Sequence, residues 1–160
     1  MANATKLDLA RYVPGLLTFL ANKLATGASK CYRKNYGIGV VEWRMLSMLA
    51  VENDITAQRI TQVIGLDKSA VSRSLQTLET AGYVSSKVDA KDARRYTVSL
   101  TPAGAALHEE VLQTALERER RLLSGFSEDE IDTLVGLLAR MHAQVESVNE
   151  FDPAEGRAQN

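Results

Sequence analysis

The sequence predicts a mostly α-helical fold of the α+β class, in which one β-hairpin follows several amphipathic helices. Apolar residues recur every three or four positions over most of the 160 residues, and the period changes to two only between residues 84 and 100. Capping and helix-ending residues stand at the boundaries that this pattern predicts. With 45% hydrophobic and 24% charged residues, the composition is that of an ordinary globular protein.

Two helices are predicted at the start of the chain. The first begins at Pro14, where a missing N–H costs nothing, and runs to about Asn35. Its apolar positions follow helical steps: Leu16, Leu17, Leu20, Leu24, Ala28 and Tyr32. Gly37 and Gly39 separate it from a second helix, predicted from Val40 to Asn53.

Two shorter helices follow. Thr56 can cap a helix from Ala57 to Ile64, and Asp67 can cap another from Lys68 to Ala81, because their side-chain oxygens can accept from unpaired first-turn amides. Gly65 suits the left-handed position that ends the first of these helices. Two helices joined by so short a link are typical of a helix-turn-helix.

The next segment predicts a hairpin. Residues from Val84 to Val88 and from Arg94 to Leu100 alternate as strands do, and residues 89–93 form a polar turn between them.

Two helices are predicted to complete the fold. Thr101 and Pro102 can begin a long helix that ends at Gly125. Ser127 and Glu130 match a capping box, and an apolar stripe then continues to Val148, which predicts a single last helix. We expect residues 151–160 to form a disordered tail.

Charge is distributed unevenly. Residues 1–100 carry 14 Lys or Arg against 8 Asp or Glu, whereas residues 101–160 carry 5 against 12, so a part with net charge +6 precedes one with −7. This pattern favours a nucleic-acid-binding part joined to a separate helical assembly part, although solvated helix faces can give similar counts.

Several classes of protein are disfavoured. The chain lacks a long apolar run and a signal-peptide core, so we expect a cytoplasmic protein without membrane contact. A single cysteine and two histidines predict neither a disulfide scaffold nor a metal site. No phosphate-cradling loop or nucleophile motif is present, so we expect neither an enzyme nor a cofactor.

The predicted helix 68–81 has two unlike faces. Val71, Leu75 and Leu78 lie on one side. The other carries short hydroxyls, an amide and cations: Lys68, Ser69, Ser72, Arg73 and Gln76. A solvated surface usually carries Glu as well as Lys, whereas these groups are the donors and acceptors that contact base edges and phosphates. We therefore expect this face to bind DNA.

The loop formed by residues 89–95 carries three basic and two acidic side chains. Lys91, Arg94 and Arg95 lie near Asp92. A polar hairpin tip is the alternative, but beside a helix-turn-helix such a wing can place an arginine in the minor groove. We expect Arg94 and Arg95 to contact DNA and Asp92 to orient the arginine.

The run from Lys68 to Val84, followed by Asp92-Ala-Arg94 and by Val98-Ser-Leu-Thr-Pro-Ala-Gly104, resembles the core of MarR-type transcriptional regulators. The resemblance implies a winged helix-turn-helix with N- and C-terminal dimerisation helices. Residues 1–36 would then form part of the dimerisation region, 37–100 the DNA-binding domain and 101–150 the C-terminal dimerisation helices. One departure is that the family's wing usually has Asp-Arg-Arg, and Ala93 replaces the first arginine here.

The resemblance also implies a function: a homodimeric repressor, bound to a palindromic operator in double-stranded DNA and released by a small effector such as an aromatic acid or another phenolic compound. Tyr36, Trp43 and His108 fall on the elements that would line the effector site, although core packing also explains them. Two alternatives are a thiol-based redox sensor through Cys31 and a helical protein-interaction module that does not bind DNA.

Overall fold

The computed structural model describes residues 6–88 and 96–154, and it confirms a mostly helical chain with one small sheet. The elements are α1 (Val13–Tyr36), α2 (Val40–Val51), β1 (Ile55–Thr56), α3 (Ala57–Ile64), α4 (Lys68–Thr80), β2 (Val84–Val88), β3 (Tyr96–Leu100), α5 (Pro102–Leu122), α6 (Glu128–His142) and α7 (Val145–Glu150). They form two compact units, residues 1–114 and 115–160, and α5 begins in the first and ends in the second.

The sheet is antiparallel, with strand order β1-β3-β2. Val84 lies opposite Leu100, and Val88 lies opposite Tyr96. On the other side of β3, Ile55 lies opposite Val98. Because Val98 is fully buried, the middle strand attaches the hairpin to the core.

The core of the first unit is built around α2. Met45, Leu46 and Leu49 of this helix have no exposed surface. The other fully buried side chains come from four surrounding elements: Ile60, Val71, Leu78, Val98 and Val111. Burial of each such side chain contributes about 1.5–3 kcal/mol, so this cluster is the main source of stability in the unit.

The helix-turn-helix forms as predicted. Thr56 Oγ1 accepts from the Arg59 amide at 3.2 Å, and Asp67 Oδ1 accepts from the Ala70 amide at 2.9 Å. Gly65 ends α3 with φ of 71°, in the left-handed region that glycine adopts without a steric cost.

The end of α2 differs from the prediction. The helix ends at Val51, two residues earlier than predicted, and the chain turns through Asp54 with φ of 59°. The following strand, β1, was not predicted because two residues are too few to show a period. It exists through its pairing with β3, more than 40 residues away.

The prediction of one last helix is wrong, because α6 and α7 are separate. At the break the Gln144 amide donates to the Met141 carbonyl, three residues back, whereas a regular α-helix bonds each amide to the carbonyl four residues back. The backbone stays in the right-handed helical region at Ala143 and Gln144, so the apolar spacing continues through the interruption. No residue of α6 is buried within this chain.

In residues 6–88 and 96–154, no helix combines the length and the hydropathy that crossing a membrane requires.

The hairpin is closed at its base by the start of α5. The Thr101 amide donates to the Tyr83 carbonyl at 3.1 Å, and its hydroxyl donates to the Gly82 carbonyl at 2.7 Å. The same hydroxyl accepts from the Gly104 amide at 3.0 Å and caps α5. A Cβ at position 104 would lie 1.9 Å from the Tyr83 carbonyl oxygen, so only glycine fits there.

We predict that Gly104→Ala lowers the free energy of unfolding by about 1–3 kcal/mol, because the clash is with backbone and cannot be relieved by a side-chain rotation. This figure is the net loss that remains after the ~1 kcal/mol that alanine gains in helix propensity. Urea titration checks it. Gly136→Ala is the matched control, since a Cβ at this helical glycine meets nothing within 4 Å. Equal stability of the two variants would contradict the prediction.

Candidate nucleic-acid interface

The polar face of α4 is exposed, as expected. Its five predicted contact residues are all exposed: Lys68, Ser69, Ser72, Arg73 and Gln76. None of their side chains forms a hydrogen bond or an ion pair with another residue in the part of the chain that the structure describes. Their donors and acceptors are therefore available to a ligand of matching chemistry.

The opposite face of α4 anchors it. Val71 and Leu78 are 1% exposed and Leu75 is 6% exposed. Because these residues are buried, the polar face is turned outward over the whole helix.

The first turn of α4 combines the amides of a helix N-terminus with a lysine and a capping carboxylate. Unpaired amides and the helix dipole favour an anion at a helix N-terminus. The Asp67 carboxylate already occupies one of these amides, that of Ala70. Lys68 stands at the first helical position and adds a full positive charge.

The wing is described only through its strands. The predicted DNA contacts Arg94 and Arg95, together with Asp92, lie outside the described residues. Of the basic residues near the turn, Lys87 is described; it lies exposed in β2, paired with Thr97.

Residues before β1 hold the outgoing strand of the wing, a role that the sequence did not indicate. The Asp54 carboxylate accepts from the Thr97 hydroxyl at 2.7 Å and from the Ser99 hydroxyl at 3.3 Å. The Asn53 side chain accepts from the Leu100 amide at 3.0 Å. Asx side chains at a turn predict local hydrogen bonds, but not partners more than 40 residues away.

The incoming strand is attached to α4. Glu79 Oε1 accepts from the Ser86 amide at 3.1 Å. This carboxylate therefore joins the end of α4 to β2 and fixes the incoming strand relative to the helix.

Arg59 on α3 is a cation that the structure already pairs. Its guanidinium donates to the Glu52 carboxylate, with Nη2–Oε2 at 3.0 Å and Nε–Oε1 at 3.2 Å. These hydrogen bonds, and then the charge of Glu52, raise the pKa of Arg59 above its ordinary value. Both side chains are about half exposed, so the pair contributes little to stability.

Three residues predicted to line an effector site come together. The rings of Trp43 on α2 and His108 on α5 are stacked, with centroids 5.3 Å apart and an interplanar angle of 14°. The Tyr36 hydroxyl at the end of α1 forms a hydrogen bond with the Thr114 hydroxyl. An aromatic cluster therefore connects α1, α2 and α5 within the first unit.

Tyr32 is a fourth member that the sequence indicated only as part of an apolar stripe. It is 3% exposed, and its ring lies 6.0 Å from Trp43 and 6.5 Å from Tyr36. Its spacing of four from Tyr36 was the available signal, since such residues share a helix face. The cluster is partly core, because Tyr32 is buried while Trp43, His108 and Tyr36 keep some exposure.

Cys31 lies half-buried near the end of α1. The Asn35 amide nitrogen lies 3.8 Å from its sulfur and also donates to the Cys31 carbonyl at 2.8 Å.

In the described ranges, no group of three or more His, Cys, Asp and Glu residues could hold a metal ion.

Known proteins are similar to this chain in sequence and in fold. A family model described as MarR family matches residues 36–95. The structure of a MarR/EmrR family transcriptional regulator from Acinetobacter sp. ADP1 is 37% identical, with a TM-score of 0.82 over 88% of this chain and 99% of that one.

Two further structures are described with bound partners. A single-substitution variant of MarR from E. coli, complexed with operator DNA, is 25% identical, with a TM-score of 0.72 over 86% of this chain and 99% of that one. The PcaV transcriptional regulator from Streptomyces coelicolor, in complex with its natural ligand, shares the fold at 20% identity, with a TM-score of 0.71 over 87% and 97% of the two chains.

Curated relatives match over a shorter range. The chain is 25% identical to one from Thauera aromatica over 62% of its own length and 60% of the relative's, and 26% identical to one from Bacillus subtilis over 66% and 62%. These two are matched over less than two thirds of their length, whereas the Acinetobacter regulator is matched over nearly all of its chain. The family model and that 37% identity show that this chain belongs to the MarR family of transcriptional regulators.

Proposed function

We propose that the protein is a homodimeric, cytoplasmic repressor that binds a near-palindromic operator and is released from it by a small aromatic acid or another phenolic compound. The observation that carries the proposal is the exposed polar face of α4, whose side chains have no partner among the described residues. The basic balance of residues 1–100 supports it, because a positively charged part attracts the phosphate backbone.

Each residue of the interface has a proposed role. Arg73 and Gln76 contact base edges, because guanidinium and amide groups form paired hydrogen bonds with guanine and adenine. Ser69 and Ser72 contact bases or phosphates, and Lys68 contacts phosphate at the N-terminus of α4. On the wing, Arg94 and Arg95 contact DNA, and Asp92 orients Arg94, two residues away.

Exposed apolar residues support a dimer. One group lies at the start of the chain: Leu7, Leu9, Tyr12, Val13, Leu16, Leu17, Phe19 and Leu20. A second lies on α6 and α7: Leu134, Val135, Leu137, Leu138, Met141, Val145 and Val148. Such concentrations of exposed apolar surface mark interaction sites, and a second copy of the chain is the partner that a symmetric operator requires.

The aromatic cluster supports effector binding. Tyr36, Trp43 and His108 would line the site. Three exposed cations on α1 and α2 could neutralise an acidic ligand: Arg33, Lys34 and Arg44. Release follows from linkage. An effector that binds more tightly to a dimer whose α4 helices are wrongly spaced for the operator lowers the affinity for DNA, and DNA lowers the affinity for the effector by the same factor.

We predict that selection from a random duplex pool returns an inverted repeat. Two-fold symmetry places the half-site centres about 10 bp, or a multiple of it, apart. Sequencing of the bound pool at near-physiological salt checks it. A folded dimer that enriches nothing would contradict the proposal and favour the protein-interaction module.

Arg73→Ala is predicted to weaken operator binding by about 1–3 kcal/mol and to relax discrimination at one base pair, because it removes a base-edge contact. Titration of operator variants at several salt concentrations checks it. If Arg73 instead holds a phosphate, all sequences weaken equally and the salt slope falls by about one. Lys23→Ala, which removes an exposed charge from α1, is the matched control. Unchanged binding by the Arg73 variant would remove this residue from the interface.

Benzoate and salicylate are predicted to lower operator affinity, and Trp43→Leu to reduce that effect, because leucine cannot stack on an aromatic ring. Operator affinity with and without each compound checks it. The absence of an effect in the wild-type protein, with salicylate or other aromatic acids, would indicate a constitutive binder.

A further inference from the structure

A half-buried hydrogen bond joins α2 to the recognition helix α4. The Ser74 hydroxyl donates to Glu42 Oε1 at 2.6 Å, between residues 32 positions apart. Ser74 directly follows Arg73 along α4. Ser74 is less exposed than Arg73, so this polar contact lies at the border between the exposed and the buried faces of α4.

The second oxygen of Glu42 is also held. Its Oε2 accepts from the Gly39 amide at 2.9 Å, at the start of α2. Glu42 is the third residue of α2, where the helix dipole favours a negative charge. With one oxygen on Gly39 and the other on Ser74, the carboxylate has a single preferred orientation.

The surroundings of Glu42 connect two more elements, α1 and α5, to this contact. A Cβ at position 39 would lie 2.7 Å from Glu42 Oε2 and 3.0 Å from Arg33 Nη2, so the absence of a side chain at Gly39 lets the end of α1 approach. The next residue, Trp43, stacks on His108 of α5. One turn of α2 therefore contacts α1, α4 and α5.

We propose that Glu42, acting through Ser74, is a positioning residue that sets the rotation of α4 about its axis. The buried side chains of Val71, Leu75 and Leu78 decide which face of α4 meets the core, but apolar contacts are non-directional and set the rotation of the helix only coarsely. Paired contacts with base edges require donors and acceptors within a few tenths of an ångström. The hydrogen bond from Ser74 supplies the direction that the apolar face lacks.

This inference rests on the proposed DNA binding, and its test compares specific with non-specific affinity. Ser74→Ala and Glu42→Ala are each expected to weaken binding of the selected operator about five- to tenfold, a loss comparable to the net contribution of one typical hydrogen bond. Affinity for a random duplex of the same length should stay within about twofold, because it depends on phosphate contacts.

Two further variants sharpen the test. The Glu42→Ala/Ser74→Ala double variant should lose no more than either single variant, since both remove the same contact. Glu42→Gln should keep the operator affinity, because its carbonyl can accept from the Gly39 amide while its amide donates to the Ser74 oxygen. Ser47→Ala is the matched control: this hydroxyl donates only within α2, to the Trp43 carbonyl at 2.9 Å.

Three outcomes would overturn the proposal. Loss of operator affinity in Ser74→Ala but not in Glu42→Ala would mean that Ser74 contacts DNA directly. Equal losses of affinity for the operator and the random duplex, or no loss of operator affinity in either variant, would also contradict it. Amide hydrogen exchange over residues 68–80 gives a reading without DNA, in which both single variants should exchange faster than the wild type and than Ser47→Ala. If the wild type selects no sequence, the proposed function fails, and unchanged exchange in these variants would separately overturn the positioning role.

Discussion

The burial of one face of α2 is the constraint on which the rest of the first unit depends. Met45, Leu46 and Leu49 are removed completely from solvent, and α1, α3, α4 and β3 pack around this helix. Non-directional burial supplies the stability, whereas the polar side chains at the two ends of α2 supply direction: Glu42 toward α4, and Asn53 and Asp54 toward β3. The two elements that we propose to contact DNA, α4 and the wing, are thus both positioned by one buried helix.

Local chemistry made much of this structure predictable. The ends of α3 and α4 follow from Thr56, Gly65 and Asp67, each of which acts within four residues of its own position. The exposed polar face of α4 follows in the same way, because Val71, Leu75 and Leu78 define its opposite.

Features that depend on distant partners were not predictable in this way. β1 exists because β3 pairs with it, and Ser74 was indistinguishable from its neighbouring serines until α2 was placed beside it. The aromatic cluster is an intermediate case: its members were identified individually, but only the fold shows that Trp43 stacks on His108. The break between α6 and α7 left the apolar period intact, so no pattern of residue types could reveal it.

The closure of the hairpin at its base affects how the wing can vary. Thr101 joins the start of α5 to Gly82 and Tyr83, and Asn53 and Glu79 hold the two strands, so the anchors among the described residues lie at the base and along the strands. An insertion in the turn then changes only the entropy of closing a longer loop, which grows slowly with length. The length of the wing can therefore change during sequence divergence with little effect on the helices to which its strands are attached.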